Sequence, residues 1–323
     1  TLVRSFGLAN LAPPEPPAEE HLPKWRRALE GIRHSKARDA EAIEHHYDVS
    51  NEFYELVLGP SMTYTCAVFH SHEDSLEQAQ AQKYDLVCRK LALKPGDRLL
   101  DLGCGWGGMV RHAAKHYGVT ALGVTLSHEQ ADWAREAIER EGLSGQASVR
   151  FSDYRDLSET GFDAISSIGL TEHIGIKNYG DYFAFAHDRL APGGRMLNHC
   201  ITRPTTTGRA SAGAFIDRYV FPDGELAGVG AIVKAMQNAG FEIRHLEDLR
   251  EHYALTLKAW GLNLETHWDE ALTHVSLGRA KVWGMYMAGS RLAFDRNEIQ
   301  LHHVLGVKTT AKGQANYPLR VDF

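Results

Sequence analysis

The residues with the most evident chemistry form one short run. Asp101 follows the apolar pair Leu99-Leu100, and Gly103, Gly105, Gly107 and Gly108 then fall within six positions. Glycine lets a backbone turn sharply and approach a ligand with no Cβ in the way. The run reads as a buried strand, a glycine-rich turn and a helix over 106–117, the arrangement that holds a nucleotide or cofactor at the end of a parallel strand. The glycine spacing is GxGxG. A dinucleotide site uses GxGxxG, and a phosphate-binding loop needs Gly-Lys-Ser/Thr. Asp101 would repel a pyrophosphate. It suits a ligand that carries an ammonium group, such as S-adenosylmethionine. Asp153 and Tyr154, just past a third strand at 148–152, offer a carboxylate for an exocyclic amine and a ring face for adenine.

The elements that must position these residues follow an alternating pattern. After the glycine turn, a strand at 121–125 precedes a helix at 127–141 capped by Ser127. Further strands are expected at 148–152, 162–168, 195–201 and 240–243, with helices near 178–190 and 228–239. A helix at 74–93 precedes the first strand. This rhythm predicts a mostly parallel sheet with helices on both faces. Two regions depart from it. The stretch 202–227 interrupts the alternation, and 252–302 is mainly helical and rich in Leu, Trp and Met. Such additions either wall the crevice of an open sheet, which suits a long apolar substrate, or simply extend the core.

Composition narrows the function. The net charge of −6 argues against a general nucleic-acid binder. The four cysteines, Cys66, Cys88, Cys104 and Cys200, form no CxxC pair, which argues against a structural zinc site and for free thiols in a reducing compartment. His45 and His46 are adjacent, so on a helix they point different ways and make a poor metal site. No apolar run reaches the roughly 20 residues of a transmembrane helix. Pro13-Pro14-Glu15-Pro16-Pro17 reads as an extended linker, and 22–38 as a basic amphipathic helix carrying Trp25. That helix either docks on the core with a solvated basic face or meets anionic lipid headgroups. The chain therefore divides into a linker and helix at 1–40 and a catalytic unit at 41–323.

Several motifs bring the sequence to a family. HYDVSNEFYELVLGPSMTYTCAVF at 46–69, LDLGCGWGGM at 100–109, GVTLSHEQ at 123–130 and DYRDL at 153–157 are joined by GLTEHIGIKNY at 169–179, NHCI at 198–201, YVFPDG at 219–224, HYALTLKAW at 252–260 and RNEIQLHHV at 296–304. Over roughly 40–305 the chain resembles the cyclopropane-fatty-acyl-phospholipid synthases and their mycolic-acid-modifying relatives. The resemblance implies a Rossmann-like class I methyltransferase fold, α/β, with a mostly parallel seven-stranded sheet, helices on both faces and helical additions over the site. It also implies methyl transfer from S-adenosylmethionine to a cis double bond of a lipid acyl chain. The resulting carbocation must lose a proton: from the new methyl group this closes a cyclopropane, and from a chain carbon it leaves a branched alkene; the rival outcome is a methylene- or methyl-branched chain.

By the same resemblance, a bound bicarbonate is the base, held by Cys66, Glu172, His199, Ile201 and Tyr253. His and Tyr would donate to it, Cys66 and Ile201 would give backbone N–H groups, and Glu172 would accept its hydroxyl proton or orient His199. The methyl donor would meet Tyr64, Thr65, Gly103, Thr125, Leu126, Gln130, Tyr154 and Ile168, with Asp101, Gly105 and Asp153 added from the residue chemistry above. His173 is a motif residue without an assigned role. Expected partners are unsaturated phospholipid chains at a membrane surface and a second copy of the chain in a homodimer, with neither nucleic acid nor metal. The expected location is cytoplasmic, peripheral at the inner face of the membrane. Members of the phospholipid type carry a further N-terminal domain, and this chain, which begins at Thr1, is expected to be the catalytic piece that follows it. The rival classes are a methyltransferase for a small molecule, RNA or protein, and a non-catalytic lipid-binding protein.

Overall fold

The computed structural model describes residues 50–207, 214–221 and 224–323. The linker, the basic segment and the His45–His46 pair lie outside the described residues. Seven strands form one sheet: β1 (Arg98–Leu102), β2 (Thr120–Thr125), β3 (Ala147–Phe151), β4 (Phe162–Ile168), β5 (Leu190–Thr202), β6 (Glu242–Asp248) and β7 (Gln300–Val307). Their order is β3-β2-β1-β4-β5-β7-β6. The first five in that order run parallel, and β7 is antiparallel to both of its neighbours.

The described helices are α1 (Asn51–Leu58), α2 (Leu76–Leu91), α3 (Gly108–Tyr117), α4 (His128–Arg140), α5 (Thr171–Ile174), α6 (Tyr179–Arg189), α7 (Ala214–Tyr219), α8 (Val229–Asn238), α9 (Arg250–Thr266), α10 (Trp268–His274) and α11 (Leu277–Asp295). The central strands are apolar on both sides, as a sheet covered on both faces requires. Leu99, Ala121, Val149 and Leu197 face α2, α3 and α4. Leu100, Val124, Ile165 and Met196 face α6 and α8. A third cluster joins Phe53 and Tyr54 of α1, Trp260 of α9, and Trp283 and Tyr286 of α11 to Leu301 of β7. The helical additions thus share a core with the end of the sheet.

Four readings of the chain need correction. The helix after the glycine turn starts at Gly108, two residues later than expected, because Gly107 adopts a left-handed φ of 72° at the cap. The fifth strand begins at Leu190, and Pro192-Gly193-Gly194 lie inside it at a register shift against β4. The strand expected to end at Ile243 continues to Asp248. The region read as helical to 302 ends its last helix at Asp295 and then forms β7, which fills the slot between β5 and β6. α1 also lies in a stretch for which no helix is expected. Ser50 caps it by accepting from the Phe53 N–H at 3.3 Å.

Candidate active site

The strand ends and the loops after them enclose a cavity of about 540 Å³. A smaller one of about 90 Å³ adjoins it, and the two share Gly103, Gly105, Gln130, Gly169 and His173. Gly103 and Gly105 sit at φ 72° and 53°. A Cβ added at Gly105 would meet nothing within 4 Å beyond its own chain neighbours, so the turn borders open space there. Asp101, at the end of β1, is buried and accepts a hydrogen bond from Ser166 Oγ at 2.6 Å. Burial pushes its carboxyl up to about 7, against the opposing pull of Ser166 and Lys83. A ligand cation beside it would restore the charged form.

Lys83 of α2 also lines the large cavity. Its Nζ donates to Thr65 Oγ1 at 3.0 Å and stands 3.7 Å from the centre of the Tyr84 ring. Burial pulls this amine down to about 7. Gln130, the third residue of α4, accepts a hydrogen bond from the Thr125 hydroxyl on Oε1 at 2.8 Å, which turns its amide nitrogen away from Thr125. Thr125, Leu126 and Tyr154 line the smaller cavity. Tyr64, Thr65, Asp101, Ile168, Glu172, His199, Ile201 and Tyr253 line the larger one. A methyl donor with an amino-acid end at Asp101 and an adenine end at Tyr154 fits this donor set.

Two expected site residues are placed elsewhere. Asp153 lines neither cavity, because its carboxylate is taken by the Arg155 backbone N–H at 2.8 Å and by the Arg155 guanidinium at 2.6 Å. Cys66 is fully buried behind the cavity wall, with its thiol turned to Ala67 O at 3.1 Å. Burial pushes that thiol far above its ordinary range, so it is no nucleophile.

The remaining acid–base residues converge. Glu172 of α5 is buried, and its Oε1 accepts from the Ile201 N–H at 2.7 Å. The Ile201 N–H expected to meet an anion is therefore held by Glu172, which itself rises to about 7 through burial. Tyr253 of α9 stacks on Phe294, ring centroids 4.6 Å apart. Tyr64 adds an aromatic wall with Trp260 and Trp283 at 5.4 and 5.6 Å. Aromatic faces of this kind favour a nearby cation.

His199, on β5, is not oriented by Glu172. Its Nδ1 lies 2.8 Å from His303 Nε2 on β7. His303 Nδ1 lies 2.9 Å from Lys90 Nζ on α2, and Lys90 is ion-paired with Glu247 on β6. The motif 296–304 contains His303, but nothing in that stretch reveals that it reaches His199. Lys83 and Lys90 are equally invisible, since each sits among the polar residues of an amphipathic helix. His173 lines both cavities with its ring edge on Phe221.

Comparison with known proteins places this geometry. The family model for mycolic acid cyclopropane synthetase matches residues 34–304. The chain belongs to that family. It is 60% identical to a probable fatty acid methyltransferase of Mycobacterium tuberculosis over 99% of this chain and 74% of the relative. It is 36% identical to the cyclopropane-fatty-acyl-phospholipid synthase of Escherichia coli K12 over 84% of this chain and 69% of the relative. Among solved structures it matches a mycolic acid cyclopropane synthase, CmaA1, complexed with SAH and CTAB, at a TM-score of 0.78 and 30% identity, covering 83% of this chain and 97% of the other. The chain is thus an S-adenosylmethionine-dependent, lipid-modifying methyltransferase of the cyclopropane synthase family, and its Rossmann-like seven-stranded sheet is that of the family. Among the described residues no helix is long and apolar enough to cross a membrane.

Proposed function

We propose that the chain methylates the cis double bond of an unsaturated fatty acyl chain carried by a phospholipid, and that a bound bicarbonate takes the proton whose loss closes a cyclopropane ring. The observation that carries this reading is the shared cavity: the glycine turn with Asp101 and the acid–base group of Glu172, His199 and Tyr253 open into one aromatic-walled space. The same space is lined by Phe215, Leu257 and Met285, and Met285 is 63% exposed, so an apolar path leads from the surface to the reacting groups. The phospholipid assignment is supported by the name of the E. coli relative.

When bound, S-adenosylmethionine supplies an electrophilic methyl group, and bicarbonate supplies a base. The protein's part begins with water exclusion, because an alkene is a weak nucleophile and a competing water would intercept the cation. The backbone at Gly103 and Gly105 lets the donor lie close to the sheet, and Asp101 orients its ammonium end. Tyr64 and the ring of Tyr253 flank the space where positive charge develops on the lipid. His199 and Tyr253 would donate to an oxyanion, and Glu172 would accept beside them. Once an anion is present, Glu172 can exchange the Ile201 N–H for the hydroxyl proton of that anion. Cys66 would contribute from behind the wall through its backbone alone.

A second reading has its own support, since two relatives, 60% and 43% identical to the chain, are named probable fatty acid methyltransferases. In it the ring does not close: loss of a chain proton leaves a methyl-branched alkene, and a 1,2-hydride shift onto the cation followed by loss of a proton from the new methyl leaves a methylene branch. The deciding experiment supplies defined monounsaturated phospholipid vesicles, S-adenosylmethionine and bicarbonate, and identifies the product by NMR. High-field cyclopropane methylene protons support the first reading. Vinylic methylene or methyl-branch signals in their place establish the second.

A further inference from the structure

Four side chains from four elements form a continuous line, buried from Lys90 inward: Glu247, Lys90, His303 and His199. We propose that Lys90 and His303 are positioning residues that lock His199 in the tautomer with its proton on Nε2, so that the ring presents an N–H donor to the cavity. The supply of hydrogen-bond donors sets the direction of the line. An ammonium group has three donors and no acceptor. Lys90 uses one on Glu247, and at 2.9 Å from His303 it donates to Nδ1. That nitrogen is then an acceptor, so the single proton of a neutral His303 sits on Nε2. At 2.8 Å this Nε2–H donates to His199 Nδ1, and the proton of a neutral His199 is left on Nε2.

Both rings are neutral because each is fully enclosed, and Lys83 and Lys90 further disfavour a second proton on either. His199 lines the cavity, and its Nε2 has no hydrogen-bond partner among the described residues. Two lysines thus act on one imidazole in different ways. Lys83 acts through its field, and Lys90 acts through a directed chain of hydrogen bonds. The chain costs the fold a buried ammonium, which its ion pair with half-exposed Glu247 offsets. A purely structural role for His303 would be served by an apolar residue of the same size. An acid–base role requires a group that accepts on one side and donates on the other.

The anion that would receive this donor is the bicarbonate proposed above, and only that last step rests on the earlier reading. The tautomer is tested without it. Enzyme labelled with 15N-histidine and saturated with S-adenosylmethionine is examined by long-range proton–nitrogen NMR, with the His199 signals identified by their loss in His199→Asn. We expect protonated Nε2 and bare Nδ1 in both rings. A proton on Nδ1 of His199, or a doubly protonated ring, overturns the proposal.

Kinetics supply the second test. His303→Leu removes the relay. It should lower turnover roughly ten- to a hundredfold, the scale seen when the partner that orients an imidazole is lost. The half-saturating bicarbonate concentration should rise, with S-adenosylmethionine affinity unchanged. His303→Gln should recover most of the loss, because a carboxamide holds an oxygen and an NH2 about as far apart as the two ring nitrogens. Equal impairment of the Leu and Gln variants in folded, cofactor-binding protein would overturn the positioning role. If wild-type turnover is indifferent to bicarbonate while the NMR result holds, the proposed base is wrong and the relay stands.

Discussion

Asp101 is the most exacting single residue in the site, because a carboxyl enclosed by protein with one hydroxyl donor is costly to ionise. In an unfolded chain it would lose its proton near pH 4. In the fold it holds it to about 7. Between these values the folded state binds a proton that the unfolded state does not, so this group's contribution to stability falls as pH rises. Asp101→Asn keeps the acceptor for Ser166 and cannot ionise. Its stability relative to wild type should therefore increase from pH 5 to pH 8 in urea titrations without cofactor. A difference that stays constant with pH would contradict the assignment. Glu172→Gln belongs at the same scale. The carboxamide oxygen still accepts from the Ile201 N–H, so the local structure should persist. Turnover should drop by roughly 10²–10⁴, the usual range for a lost acid–base group. S-adenosylmethionine binding, read by calorimetry, should change little, and unchanged turnover would refute the role.

At the scale of elements, the site depends on how closely α2 and α3 approach. A Cβ at Gly108 would lie 2.1 Å from the Tyr84 hydroxyl. That hydroxyl is fixed 2.9 Å from Thr63 Oγ1, in the loop that leads to Tyr64 and Thr65. Gly108→Ala should cost about 1–3 kcal/mol, the penalty for overpacking a tight contact. Chemical denaturation measures it, and a neutral effect would show that α2 can move aside. The same elements show what could be read from the chain. β1, the glycine turn and the helix after it are legible because an apolar strand, spaced glycines and a helical period occur in sequence. β7 is not. Its residues Gln300-Leu301-His302-His303-Val304-Leu305-Gly306-Val307 do not alternate, since Leu301 through Val307 are all buried. Its two histidines look like surface residues until their partners are known: Thr202 Oγ1 lies 2.7 Å from His302 Nδ1, and His303 bridges His199 and Lys90. Asp153 lines neither cavity for a similarly local reason. Its neighbour Arg155 claims the carboxylate.

At the scale of the whole molecule, the helical additions are bound into the body of the protein. The cluster around Trp260 and Trp283 runs without interruption from α1 through α9 and α11 to Leu301 of the sheet. The described protein should therefore unfold in one cooperative calorimetric transition. S-adenosylmethionine at a hundredfold excess over its Kd should stabilise it by about 2.7 kcal/mol. Two separable transitions would show that the cavity's lid and floor are independent units. The motifs made the proposed acid–base residues legible because they are matched as short strings. The relay behind them was hidden because its members are as far apart as Lys90 and His303.

The place of β7 also bears on the order in which the protein is made. β5 emerges from the ribosome well before its neighbour in the sheet, and β6 emerges before the strand that links it to the rest. Until residues 300–307 arrive, the edge of β5 is an open row of backbone donors and acceptors, and β6 has no strand to pair with. His199 cannot acquire its partner before that moment. The nascent chain thus passes through a long interval with a nearly finished cofactor turn and a His199 that still lacks His303, a state most exposed to aggregation.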